Sequence, residues 1–135
     1  MTFAKSALVL VPAALLAACA SRPLAADPQA LSAANAQWQS LRADYTACAR
    51  DKADAGLPGR GSAQDLAGAA LKACQPTLDA MRGAFRDYLD AQMVSSHGHD
   101  SARQAADRLA QDTEAKTRSY VVRYVERERY NAGQH

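Results

Sequence analysis

Large side chains are scarce in this chain. Only 6% of its 135 residues are aromatic, and Trp38 is its single tryptophan. Such a core is thin, so its elements must approach closely instead of packing around bulky groups. Cysteine is sparse as well: Cys19, Cys48 and Cys74, with no Cys-x-x-Cys pair. That spacing argues against a redox dithiol or a zinc ribbon. An excess of one charge is missing too, since 16 basic side chains stand against 14 acidic ones. Nothing in that balance points to nucleic acid or an anionic bilayer surface as a partner. No Gly-x-Ser-x-Gly, His-Glu-x-x-His or phosphate loop occurs. Most acids lie beside bases at helical spacing, which singles out no carboxylate for proton transfer. The chain is therefore expected to be no enzyme and to use no cofactor.

Long apolar runs are absent with one short exception. Lys5 precedes Ala7 to Leu16, a run interrupted by Pro12. Crossing a hydrocarbon core of about 30 Å takes about 20 residues, so this run is too short to span as a helix. It has the form of a secretion signal, a basic residue before an apolar stretch and then small residues.

Leu16-Ala17-Ala18-Cys19 follows directly and resembles the lipobox of bacterial lipoproteins. The resemblance covers residues 1–19. It implies that residues 1–18 are a cleaved signal peptide and that Cys19 carries a thioether-linked diacylglycerol, with palmitate-type chains. Two or three chains, at about 0.8 kcal/mol per buried CH2, anchor stably where one chain would be marginal. Ala20 in place of Asp resembles the sorting pattern for the outer membrane, facing the periplasm. Cleavage would leave 117 residues, enough for one domain. With Cys19 committed to lipid, Cys48 and Cys74 form an even pair in an oxidising compartment and are expected to be disulfide-bonded.

Residues 19–27 read as a tether. Asp27-Pro28 then starts a helix, since Asp caps and Pro fits the first helical position. Leu31, Ala34, Trp38, Leu41, Tyr45 and Cys48 alternate in steps of three and four, predicting one apolar helix face from Pro28 to Ala53. Gly56, Pro58, Gly59 and Gly61 break it. Ser62 and Asp65 open a second element, whose apolar face continues through Ala67, Leu71, Cys74, Leu78, Met81, Phe85 and Tyr88. Because that phase runs unbroken past Pro76, a single kinked helix ending near Met93 is expected over two short ones. An antiparallel hairpin would bring the two cysteine-bearing faces together, although counting from the break leaves a stagger of about 9 Å. Val94 to Ser101 reads as a polar loop, with Asp100 or Ser101 capping a last helix from Ala102 to Arg129. The face expected for that helix is Ala102, Ala106, Leu109, Thr113, Tyr120 and Tyr124, interrupted by Lys116 and Thr117.

The expected fold is thus all-α: a helical hairpin stapled by Cys48–Cys74 plus a third C-terminal helix. It forms one domain over residues 28–130, with a frayed tail at 131–135. The two cysteine-bearing segments, Tyr45-Thr46-Ala47-Cys48-Ala49 and Ala69-Ala70-Leu71-Lys72-Ala73-Cys74, resemble small uncharacterised bacterial envelope proteins with such a helix pair. That resemblance spans residues 38–93 and implies no known activity. The leading expectation is a lipid-anchored structural or interaction module that contacts another envelope protein through Tyr120 and Tyr124. A periplasmic metal-handling or stress protein using His97, His99 and Asp100 is the alternative, because imidazole and carboxylate suit zinc or copper. A third reading is a hydrolase inhibitor that presents the glycine-rich loop at 56–61.

Overall fold

In a computed structural model, residues 26–133 are described, and all of their regular structure is α-helical. The expected signal peptide, Cys19 and most of the expected tether lie outside the described residues. Four helices follow in order: α1 Pro28–Gly56, α2 Ala63–Ala73, α3 Gln75–Asp90 and α4 Ser96–Ala132.

Asp27 caps α1 by accepting from the Gln29 N–H, and Pro28 fills the first turn as anticipated. The helix runs three residues past its expected end, to Gly56. Ser62 and Asp65 then form a capping box, each side chain accepting from the other's backbone N–H. The first turn of α2 is therefore regular. The longer α1 takes up half of the anticipated stagger, leaving about 4.5 Å at 1.5 Å per residue. Cys48 and Cys74 are bonded, with Cα atoms 6.0 Å apart, an ordinary separation for a disulfide.

The expected single kinked helix is two helices. They meet at Cys74, which has φ −98° and ψ 6° and is the last cap of α2 and the first of α3. Pro76 has no N–H to donate and crowds the carbonyl four residues back, so a helix interior there would be strained. As an early residue of α3 it is tolerated, because N–H groups in a first turn have no helical acceptor. A one-residue interruption so close to helical geometry barely shifts the apolar phase, which is why periodicity alone read it as continuous. The second helix of the pair also stops at Asp90, short of Met93.

The stretch Val94 to Ser101 is likewise not a loop throughout. α4 begins at Ser96, capped by the Ser95 hydroxyl accepting from the Gly98 N–H at 3.0 Å. His97, His99, Asp100 and Ser101 are helical, and their polarity reflects a solvated first two turns. At the other end α4 continues through Asn131 to Ala132, so the expected tail is helical at its start.

Pairings across the bundle give its topology. Trp38 meets Phe85 with ring centroids 4.9 Å apart, while Cys48 meets Cys74. Numbers rise on α1 as they fall on α2 and α3, so these run antiparallel. Arg82 lies near Asp107 and Asp90 near His99, so α4 is antiparallel to α3. Thr46 faces Thr117 and Asp54 meets Tyr124, which sets α1 and α4 parallel. The result is an up-down-up bundle of three rods, the middle one broken at Cys74.

Alanine makes this packing possible. Among the described residues, eight of the fifteen buried apolar side chains are alanines, from Ala49 and Ala53 on α1 to Ala102, Ala106 and Ala110 on α4. Tyr45, Met81, Val121 and Val125 fill the middle and are fully buried. The α4 face differs from the one expected. It is Ala102, Ala106, Ala110, Thr113, Thr117, Val121 and Val125. Thr117 belongs to this face and does not interrupt it, and the valines replace Tyr120 and Tyr124. Its steps are mostly four, so at 100° per residue the buried stripe turns about 140° around α4. That drift lets one helix pack first on α3 and then on α2 and α1.

Candidate functional site

Displacing Tyr120 and Tyr124 from the buried stripe puts them on the flank between α1 and α4. Tyr120 is 37% exposed. Its ring stacks on Tyr124 with centroids 6.3 Å apart, and the Arg127 guanidinium stands 5.4 Å from the Tyr124 centroid. The two tyrosines differ in freedom. Tyr124 is half-buried and its hydroxyl donates to the Asp54 carboxylate. That bond favours the neutral phenol and pushes its pKa up to about 12. Near it, Arg129 donates to the Gly61 carbonyl at 2.6 Å and to the Gly59 carbonyl at 3.0 Å. The glycine-rich loop is therefore held down on the last turns of α4.

Further down the same flank, α1 and α4 part to leave a groove of 540 Å³. Trp38, Ala43 and Ala47 supply its apolar wall, Tyr120 its far side, and Gln39, Arg42, Thr46 and Arg50 its polar groups. A smaller hollow of 180 Å³ shares Arg42, Thr46 and Tyr120 with it and adds Thr113, Lys116 and Thr117. Thr46 and Thr117 bridge the two helices with a single hydroxyl contact of 3.3 Å.

Charges around the groove are unevenly satisfied. Arg50 is held by Asp51 at 2.9 Å, and Lys116 by Asp112 at 2.8 Å. Arg42, half-buried, enters no ion pair among the described residues. A second cleft, of 290 Å³ between α3 and α4, is lined by Arg82, Arg86 and Arg103. Each of those has a carboxylate partner: Asp79 and Asp107, Asp87 and Asp90, and Asp100. The flank of α1 and α4 alone combines aromatic surface, hydroxyls and an unneutralised guanidinium among the cavities described.

The three candidate metal ligands are not brought together. His97 and His99 lie two residues apart on a helix and so face about 200° apart. His99 Nδ1 is 2.9 Å from the Asp90 carboxylate, and Asp100 pairs with Arg103. Among the described residues no group of three or more His, Cys, Asp or Glu side chains converges. Trp38, Arg42 and Thr46 were not singled out from the sequence as a site. Their spacing of four on one edge of the apolar stripe was the available signal.

Among the described residues, two buried hydroxyls have no partner: those of Tyr45 and Thr113. Burial strips the Tyr45 phenol of water and raises its pKa to about 12, with Glu114 adding to the effect. Tyrosine in the unfolded chain ionises near 10. Between pH 10 and 12 the unfolded state therefore loses a proton that the folded state keeps, and stability falls as pH rises. Unfolding midpoints measured across this window should drop, and Tyr45→Phe should shrink the drop to the part due to Tyr124.

Compared with known proteins, the chain matches no family model, no curated protein and no solved structure.

Proposed function

We propose that this chain is a lipid-anchored helical module of the bacterial cell envelope that works by contact and not by catalysis. The observation that carries the reading is Leu16-Ala17-Ala18-Cys19 behind a short apolar run. The Cys48–Cys74 bond supports it, because it leaves Cys19 as the unpaired cysteine of the three and fits an oxidising compartment. Acyl chains on Cys19 would hold the domain to the outer membrane, facing the periplasm. The working surface is the α1/α4 flank carrying Tyr120, which is open where Tyr124 is occupied by Asp54.

Cell fractionation with mass spectrometry tests the anchor. The wild-type protein is expected in the membrane fraction, beginning at Cys19 and heavier by a diacylglycerol. Cys19→Ser should abolish that mass and leave the membrane fraction at least about tenfold depleted, since a lone polypeptide of this hydropathy has nothing equivalent to two acyl chains. A wild-type product that is soluble and unmodified rejects the reading.

A further inference from the structure

We infer that the α1/α4 groove binds an acidic saccharide, its carboxylate seated against Arg42 and its ring against Trp38, one helical turn away. This deepens the reading of that flank as the working surface but does not depend on the anchor. Binding to purified protein and acylation of Cys19 can therefore fail separately.

Four observations converge on this class of ligand. First, the volume suits a small molecule: 540 Å³ falls within the roughly 300–1,000 Å³ typical of ligand sites. Second, Arg42 lines both the groove and the hollow that adjoins it, yet has no carboxylate partner among the described residues. A guanidinium offers five N–H donors in a fork that fits a carboxylate. Lys116 adds positive charge at the hollow, diluted by Asp112, while Arg50 in the groove is neutralised by Asp51.

Third, the hollow is walled by three threonines, Thr46, Thr113 and Thr117. Thr113 is only 2% exposed, and its hydroxyl finds no partner within the fold. A buried hydroxyl without a partner is unfavourable, so an oxygen brought by a ligand, or a water carried with it, would satisfy a donor that the protein leaves open. Fourth, the apolar wall carries an aromatic ring beside Arg42. Trp38 is half-buried and fixed from behind by Phe85, and its indole N–H is taken by Asn35 at 2.9 Å. Its ring lines the groove. An aromatic face suits the C–H side of a pyranose, and Gln39 and Thr46 offer amide and hydroxyl partners for its alcohols. An acyl chain would use none of the polar groups. Inorganic phosphate would use none of the aromatic ones.

Trp38 is the chain's single tryptophan, so its fluorescence reads the groove directly. The full chain in detergent is titrated with glucuronate, with glucose and with inorganic phosphate. Glucuronate is expected to give a saturable change in emission, and glucose and phosphate are each expected to bind at least about tenfold more weakly. Arg42→Gln should weaken glucuronate at least about tenfold and leave glucose unchanged, with the same unfolding midpoint. Thr113→Val should weaken glucuronate without unfolding the bundle. Equal binding of glucose and glucuronate overturns the role of Arg42. Phosphate as tight as glucuronate overturns the role of the ring. No response to glucuronate overturns the proposal outright, and nuclear magnetic resonance shifts mapped away from α1 and α4 would do the same.

Discussion

Replacing both Cys48 and Cys74 with serine is expected to lower the free energy of unfolding by about 3.5 kcal/mol, from the loop-entropy relation for a ring of this size. The two cysteines are 26 residues apart, which closes a substantial loop in the unfolded chain. For about 108 folded residues this corresponds to a fall of roughly 15 °C in Tm. The effect is large because stability totals only about 5–15 kcal/mol for a domain. The bond also joins α1 to the residue where α2 gives way to α3. Cys74 is 1% exposed and sits at the break, so the staple fixes the one point where the middle rod could bend. Thermal unfolding followed by circular dichroism measures the shift, and a reductant acting on the wild type should reproduce it. A change of only a few degrees would mean that helix packing alone holds the break in place.

Tyr45 should give two opposite results from one position. It is fully buried at the centre of the bundle. Tyr45→Ala removes the largest side chain in that core and should cost about 3–5 kcal/mol, as for other buried aromatics. Tyr45→Phe keeps the ring and removes a hydroxyl that has no partner. Deleting an unpartnered buried hydroxyl while keeping the shape should stabilise by about 1 kcal/mol. Chemical denaturation of the two variants with equal slopes would establish both signs. If Tyr45→Phe destabilises instead, the hydroxyl has a partner, such as a buried water.

The sequence made some of this legible and hid the rest for definable reasons. α1 and the start of α2 were plain because their signals are local: Asp27 with Pro28, and Ser62 with Asp65, act within one turn. The cysteine pairing followed from arithmetic once Cys19 was set aside. The break at Cys74 was hidden because the apolar phase survives it. The start of α4 was hidden because solvated helical turns and loops share a composition. Its buried face was misread near the C-terminus for a third reason. Tyrosine looks more apolar than threonine, yet Thr117 can bury its methyl in an alanine-rich seam whose one ring is supplied by Tyr45. The groove depends on that same choice. It exists because Tyr120 is turned out of the seam and α1 and α4 stay apart, a fact of three-dimensional register that no single helix carries.

Parallel travel of α1 and α4 has one more consequence. The start of α1 and the glycine-rich turn clasped by Arg129 occupy opposite poles of a rod whose first helix alone measures about 43 Å. Under the anchoring proposed at Cys19, attachment would enter at the Pro28 pole, and the clasped turn would stand at the far end of the molecule. The aromatic groove lies partway up this mast, on its side, at a height set by helix length.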